Sequence, residues 1–233
     1  MNGAHDLGGK HGFGPIDLSR EENFEHEWEA SVFSLTLACG LLGQWNLDQS
    51  RFARESMDPA HYLASSYYEH WLHGLELLLL QRGLVTEGEL RSGRKERTTD
   101  MQAVTSDKLQ AILATGGPTL LPADSKQQFE LGDRVSVKHD NPRTHTRAPA
   151  YVKGKTGVVF RYHGAHIFAD EHSNSGEKVP AHLYTVCFQA TELWGENNTE
   201  GRSAVYLDLF EPYLLDSFCS DNHRNGDEGN ASK

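Results

Sequence analysis

The chain has 233 residues, 22 of them Lys or Arg and 33 Asp or Glu, which gives a formal net charge of −11, and 37% of its residues are apolar. That length allows one or two domains with cores of their own, above the size at which disulfides or a structural metal are needed for folding. The acidic surplus argues against a broad face for a polyanion, because phosphate contacts need clustered Lys and Arg, so nucleic acid is not an expected partner.

The amino-terminal Met-Asn-Gly-Ala-His-Asp has neither the basic segment nor the apolar run of a secretory signal, and a cytoplasmic protein is expected. Gly3, Gly8, Gly9, Gly12 and Gly14, with Pro15 behind them, leave little to hold a helix or strand, so this stretch reads as an irregular arm. From about Phe24, Trp28, Val32, Leu35, Cys39 and Leu42 fall on one helical stripe, with Gly43 as a stop. Asn46 with Gln49 forms a capping box for a short helix that carries Arg51, Phe52 and Arg54. Asp58 before Pro59 opens the next helix, expected to run to about Arg82 with Trp71, Leu75, Leu78 and Leu79 facing a core. Its pure aliphatic run, Leu77 to Leu80, is far short of the roughly 20 residues that cross a bilayer, so no membrane contact is expected. Thr86 with Glu89 caps one further short helix.

Between Ser92 and Gln128 the periodicity fades around Gly116, Gly117, Pro118 and Pro122, with a weak helix over Asp107 to Ala114, and the stretch reads as a linker. After Phe129 the period becomes two: Val135 and Val137, then Tyr184, Val186 and Phe188, then Val205, Leu207 and Leu209 alternate with polar neighbours. Lys153-Gly-Lys-Thr-Gly157 resembles the tight strand turn of SH3-like barrels. Four or five short strands with glycine turns predict a small barrel or sandwich. The expected fold class is therefore α+β in two parts. An arm and helical domain occupies residues 1–93, a linker 94–127, an SH3-like β-barrel 128–216 and a disordered polar tail 217–233.

Three cysteines, Cys39, Cys187 and Cys219, stand far apart with no Cys-x-x-Cys, which excludes a disulfide scaffold and a zinc ribbon. The closest histidine groups, His70 with His73 and His163 with His166, Asp170 and His172, match no ligand pattern, so no metal site is expected in this chain. There is no Gly-x-Ser-x-Gly elbow, P-loop or dinucleotide fingerprint. Taken singly, Arg51 and Arg147 read as surface ion-pair formers, and Tyr67 and Tyr68 as core-edge aromatics.

In order, however, several segments resemble the β subunit of nitrile hydratase over nearly the whole chain. These are Met1-Asn-Gly-Ala-His-Asp-Leu-Gly-Gly-Lys-His-Gly-Phe-Gly-Pro15, Met57-Asp-Pro-Ala-His-Tyr62, Ser66-Tyr-Tyr-Glu-His-Trp71, His145-Thr-Arg-Ala-Pro-Ala-Tyr151, Lys153-Gly-Lys-Thr-Gly157, His182-Leu-Tyr-Thr-Val186, Glu192-Leu-Trp-Gly195 and Glu211-Pro-Tyr213. The resemblance lapses in the linker and in the carboxyl-terminal extension.

The resemblance implies an enzyme that hydrates a nitrile to its amide, active only with an α subunit, as an αβ heterodimer or α2β2. The α subunit would carry low-spin non-haem Fe(III) or non-corrin Co(III) in a Cys-x-x-Cys-Ser-Cys motif that this chain lacks. The stretch His163-Gly-Ala-His-Ile-Phe-Ala-Asp170 looks more like the cobalt-type members. By motif position, Arg51 and Arg147 would hold the oxidised sulfurs of two partner cysteines, and Tyr67 would hydrogen-bond a water or substrate near the metal. Leu47, Ser50 and Trp71 would line the substrate pocket, with serine smaller than the apolar residues also found at its position. Two rivals are a thiocyanate hydrolase-like subunit, in which this region is split between two polypeptides, and a non-catalytic SH3-like binding or assembly module.

Overall fold

The computed structural model of the chain describes residues 3–16, 18–19, 22–98, 101–196 and 203–217. The chain divides into two compact units. The first comprises Met1–Pro118, Pro142–His145 and Ala169–Glu177; the second comprises Thr119–Asn141, Thr146–Phe168 and Lys178–Lys233. The expected polar tail beyond Ser217, with Cys219, lies outside the described residues.

The first unit is helical, with α1 (Glu27–Gly40), α2 (Leu47–Glu55), α3 (Pro59–Ala64), α4 (Tyr67–Gln81), α5 (Glu87–Ser92), α6 (Ser106–Thr115) and α7 (Ala169–Asn174). The start of α2 is the expected capping box: the Asn46 side chain accepts from the Gln49 N–H at 2.9 Å, and the Gln49 side chain accepts from the Asn46 N–H at 3.1 Å. Asp58 caps α3 through the N–H groups of Ala60 and His61, and Pro59 fits the first turn, where its missing donor costs nothing.

The helix expected to run from Pro59 to about Arg82 is two helices. Ser65 is extended at φ −95° and ψ 149°, and Ser66 restarts the chain as the cap of α4. The Glu69 carboxylate accepts from the Ser66 N–H, which completes a second capping box and satisfies donors that a new helix start would otherwise leave bare.

Trp45, Ala53, Leu75 and Leu78 form the apolar core of this unit, with Cys39, Leu77, Leu79 and Leu84 packed against it. The stripe expected on α1 is only partly covered. Val32 is buried, but Trp28 and Leu35 are 38% and 53% exposed, while Phe33, off that stripe, lies 5.9 Å from the Trp71 ring of α4. Periodicity locates an apolar face; it does not state what covers it.

The second unit is a five-stranded antiparallel sheet in the order β4-β3-β2-β1-β5, formed by β1 (Arg134–Val137), β2 (Thr156–Ile167), β3 (Pro180–Gln189), β4 (Ala204–Phe210) and β5 (Leu214–Asp216). The sheet is not closed, and β4 and β5 are its edges. The short helix α8 (Ala190–Trp194) follows β3, and a 3-10 turn at Glu211–Tyr213 leads into β5. The expected alternation holds on β3, where Tyr184, Val186 and Phe188 have no exposure. Gly157, paired opposite Val135, is required by contact: a Cβ there would lie 2.5 Å from Val186 Cγ1 and 2.9 Å from the Cys187 carbonyl. Gly154 turns the chain before β2 at φ 71°. Residues 119–121 run beside β2, with the Leu121 N–H on the Ala165 carbonyl and the Ile167 N–H on the Thr119 carbonyl.

Candidate functional site

Leu47, Ser50 and Arg54 stand at i, i+3 and i+7 of α2 and so share one face of the helix. With Thr36 of α1, Trp71 of α4 and Leu113 of α6 they wall a cavity of about 230 Å³ within the helical unit. Three of the residues expected at the substrate, Leu47, Ser50 and Trp71, thus meet at a single cavity. Arg54 Nε donates to the Ser50 carbonyl at 3.1 Å, and its guanidinium carbon lies 4.6 Å from the centroid of the Trp71 ring. Burial pulls the Arg54 guanidinium below its usual pKa. The Trp71 indole nitrogen and the Thr36 hydroxyl oxygen are buried and have no hydrogen-bond partner among the described residues.

Arg51 points elsewhere. Its Nη1 donates to Asp48 Oδ1 at 2.9 Å, one turn back on α2. The other Asp48 oxygen accepts from His172 Nδ1 at 2.9 Å, and the Asn46 side-chain amide donates to the His172 carbonyl. His145, fully buried, is bonded through Nδ1 to Glu55 Oε2 at 2.7 Å, and its Nε2 lies 4.0 Å from Asp48. Two carboxylates of α2 are therefore held by imidazoles far along the chain, and one of those carboxylates fixes Arg51.

Tyr67 opens α4 and is 64% exposed. Its ring packs at 5.2 Å from Tyr68 and 5.9 Å from Trp71, outside the cavity wall. Arg147 belongs to the β unit, where its side chain is exposed and its backbone N–H donates to the Tyr213 hydroxyl at 3.0 Å.

The sequence assigns no role to Arg54, Thr36, Asp48 or Glu55, places His145 only within a family segment and weighs His172 only as a metal ligand. Arg54 had a signal, since its spacing from Leu47 and Ser50 puts it on their face of α2. The imidazole contacts had none, because they join residues 90 and 124 positions apart.

Among the described residues no three His, Cys, Asp or Glu side chains are grouped so as to hold a metal ion. The histidine groups are engaged otherwise: His70 Nε2 donates to the Tyr62 carbonyl, the His73 ring meets that of His61 edge-on, and His163 pairs with the Thr185 hydroxyl. No helix among the described residues is long and apolar enough to cross a membrane.

Two family descriptions match the chain in succession, nitrile hydratase beta subunit, N-terminal, over residues 1–116 and nitrile hydratase beta subunit, C-terminal, over residues 118–216. The chain belongs to the nitrile hydratase β-subunit family. Membership assigns it to an enzyme, nitrile hydratase, as its β subunit. It is 40% identical to the low-molecular weight cobalt-containing nitrile hydratase subunit beta of Rhodococcus rhodochrous, over 92% of this chain and 99% of that one. The cobalt-containing nitrile hydratase subunit beta of Pseudonocardia thermophila is 36% identical over 92% of this chain and 96% of its own length. The thiocyanate hydrolase subunit alpha of Thiobacillus thioparus is 28% identical and covers 38% of this chain and 71% of that one.

Proposed function

We propose that this chain works in a heteromer with an α subunit that carries the catalytic metal, and that it supplies the substrate pocket and the groups around that metal for hydration of a nitrile to its amide. The observation that carries this reading is the meeting of Leu47, Ser50 and Trp71 at one small cavity. These are the residues that the family resemblance assigns to the substrate. Cobalt is the favoured metal over iron, since relatives at 40% and 36% identity are named cobalt-containing. Bound in the partner, it would supply Lewis acidity to the reaction. The free cysteines Cys39 and Cys187 suit a cytoplasmic location.

The roles of this chain's residues follow from their chemistry. Arg51 and Arg147 each offer a planar, permanently charged fork that can donate two parallel hydrogen bonds to the oxygens of the partner's oxidised cysteines. Arg51 is held for this by Asp48, and the Arg147 backbone by Tyr213. Tyr67 presents an exposed hydroxyl at the start of α4 that can donate to a water or to the substrate. Leu47 and Trp71 exclude water from the body of the substrate, and Ser50 leaves width.

The β unit reads as a partly open SH3-like barrel, supported by β5 returning through a 3-10 turn to pair with β1. The assembly proposed is an αβ heterodimer or α2β2. The thiocyanate hydrolase reading is the lesser one, because that relative matches 38% of the chain.

Co-purification with the α subunit, followed by metal analysis and a hydration assay, tests the proposal. The expected result is a tight complex with one cobalt or iron per αβ pair that converts a nitrile to its amide. A stable monomer that ignores the α subunit would favour the non-catalytic module.

A further inference from the structure

The cavity wall formed by α1, α2, α4 and α6 is mostly apolar, yet it includes the cation Arg54. The Trp71 indole nitrogen, which can only donate, and the Thr36 hydroxyl are buried with no partner among the described residues. Arg54 is half-buried; its Nε donates to the Ser50 carbonyl, its guanidinium lies over the face of Trp71, and no carboxylate among the described residues is within ion-pair distance of it. The two carboxylates of its own helix are taken, Asp48 by Arg51 and His172, and Glu55 by His145. A cation withdrawn from water into an apolar wall without a direct ion pair is less favourable than one that an anion reaches.

We infer that this cavity selects nitriles whose far end is a carboxylate, with Arg54 as the group that binds it. The inference rests on the reading of the cavity as the substrate pocket. Its volume, about 230 Å³, is below the roughly 300–1,000 Å³ of sites for drug-sized ligands, so the fitting acid is short, with a few methylenes between the nitrile and the carboxylate. A site built to hydrogen-bond one end of a substrate discriminates strongly against the analogue that leaves those donors unmet.

The test uses the assembled, metal-loaded heteromer and two probes of equal shape, 4-cyanobutanoate and 5-methylhexanenitrile, in which an isopropyl group replaces the carboxylate. The expected result is a kcat/KM for the acid about tenfold or more above that for the neutral isostere, with the difference in KM. Arg54→Met, which keeps the stem, is expected to abolish that preference, and Arg54→Lys to restore part of it. A wild-type enzyme that prefers the neutral nitrile overturns the inference without any variant. So does an Arg54→Met enzyme with an unchanged ratio. Ser50→Phe separates the two readings. If it raises KM for both probes while the Arg54 variants leave the ratio alone, the cavity is the pocket and only the carboxylate preference fails. If it changes neither KM, the pocket assignment itself fails.

Discussion

Among the described residues, the side chains of the β unit that are fully shielded from water are aliphatic or aromatic, Val135, Val137, Val152, Val159, Val186, Phe188, Leu209 and Tyr184, with one polar atom, the Tyr184 hydroxyl, bonded to Glu211. In the helical unit the fully shielded side chain is an imidazole, His145, bonded to Glu55 beside the pair of Asp48 with His172. Apolar burial is non-directional and contributes mainly stability. Buried hydrogen-bonded pairs contribute little net stability, but they fix geometry. The helical unit carries the cavity and Arg51, and Asp48 of its polar centre accepts a hydrogen bond from that arginine. The β unit contributes Arg147 from a loop whose backbone is bonded to Tyr213.

Four measurements would sharpen or break this contrast. Phe188→Ala should cost about 3–5 kcal/mol in a denaturant melt, as expected for a large side chain removed from a closed apolar core. A cost near zero would mean that the β unit does not depend on its apolar centre. Next in size, Arg51→Lys and Arg147→Lys should each lower turnover by about 100-fold while the heteromer still forms, because lysine keeps the charge and loses the fork. Steady-state kinetics with the visible spectrum of the metal decides this; wild-type turnover and spectrum in both variants would return the two arginines to ordinary surface ion pairs. Tyr67→Phe should reduce kcat by about fivefold to tenfold with metal content retained, the effect of one neutral hydrogen bond near the reacting water. Unchanged kinetics would leave Tyr67 a packing residue.

The smallest effect is one of pH. Burial lowers the pKa of His5, outweighing the nearby Glu55 carboxylate, and it lowers that of His73, helped by His61. Both are therefore favoured neutral in the folded chain. The stability this contributes is complete above the ordinary histidine value near 6.5 and is lost as the pH falls below it through the lowered values. In the β unit, burial and the bond to Glu211 raise the Tyr184 hydroxyl, a shift that matters only in strong alkali. Hydrogen exchange, corrected for intrinsic rates, should show amides of the helical unit losing protection between pH 7.5 and 5.5 more than those of the β unit. Equal losses would contradict the assignment.

Local chemistry was legible in the sequence, and distant chemistry was not. Asn46 with Gln49 marked the start of α2 because a capping box is complete within four residues, and the alternation of Tyr184, Val186 and Phe188 marked the buried face of β3. Ser66 with Glu69 was equally local, yet the apolar run on both sides hid the break at Ser65. The exposure of Trp28 and Leu35 was not legible, because a stripe on a helix carries no record of its cover. The family motifs led to Leu47, Ser50 and Trp71, whereas Arg54, an unmatched charge among apolar neighbours, became visible only once its surroundings were known. No spacing rule could pair Asp48 with His172.

The helical unit is assembled from three separated stretches of chain, and its last contributions, Pro142–His145 and Ala169–Glu177, come from within the portion that builds the sheet. On the ribosome, α2 therefore emerges with Asp48 and Glu55 well before the imidazoles that hold them. Until residue 172 has left the exit tunnel, Asp48 has Arg51 beside it but lacks the imidazole that later holds its other oxygen. The helical half is thus the earlier part to be made and the later part to be finished. A polypeptide ending near residue 118 would hold every helix of the cavity and lack what locks α2 in place.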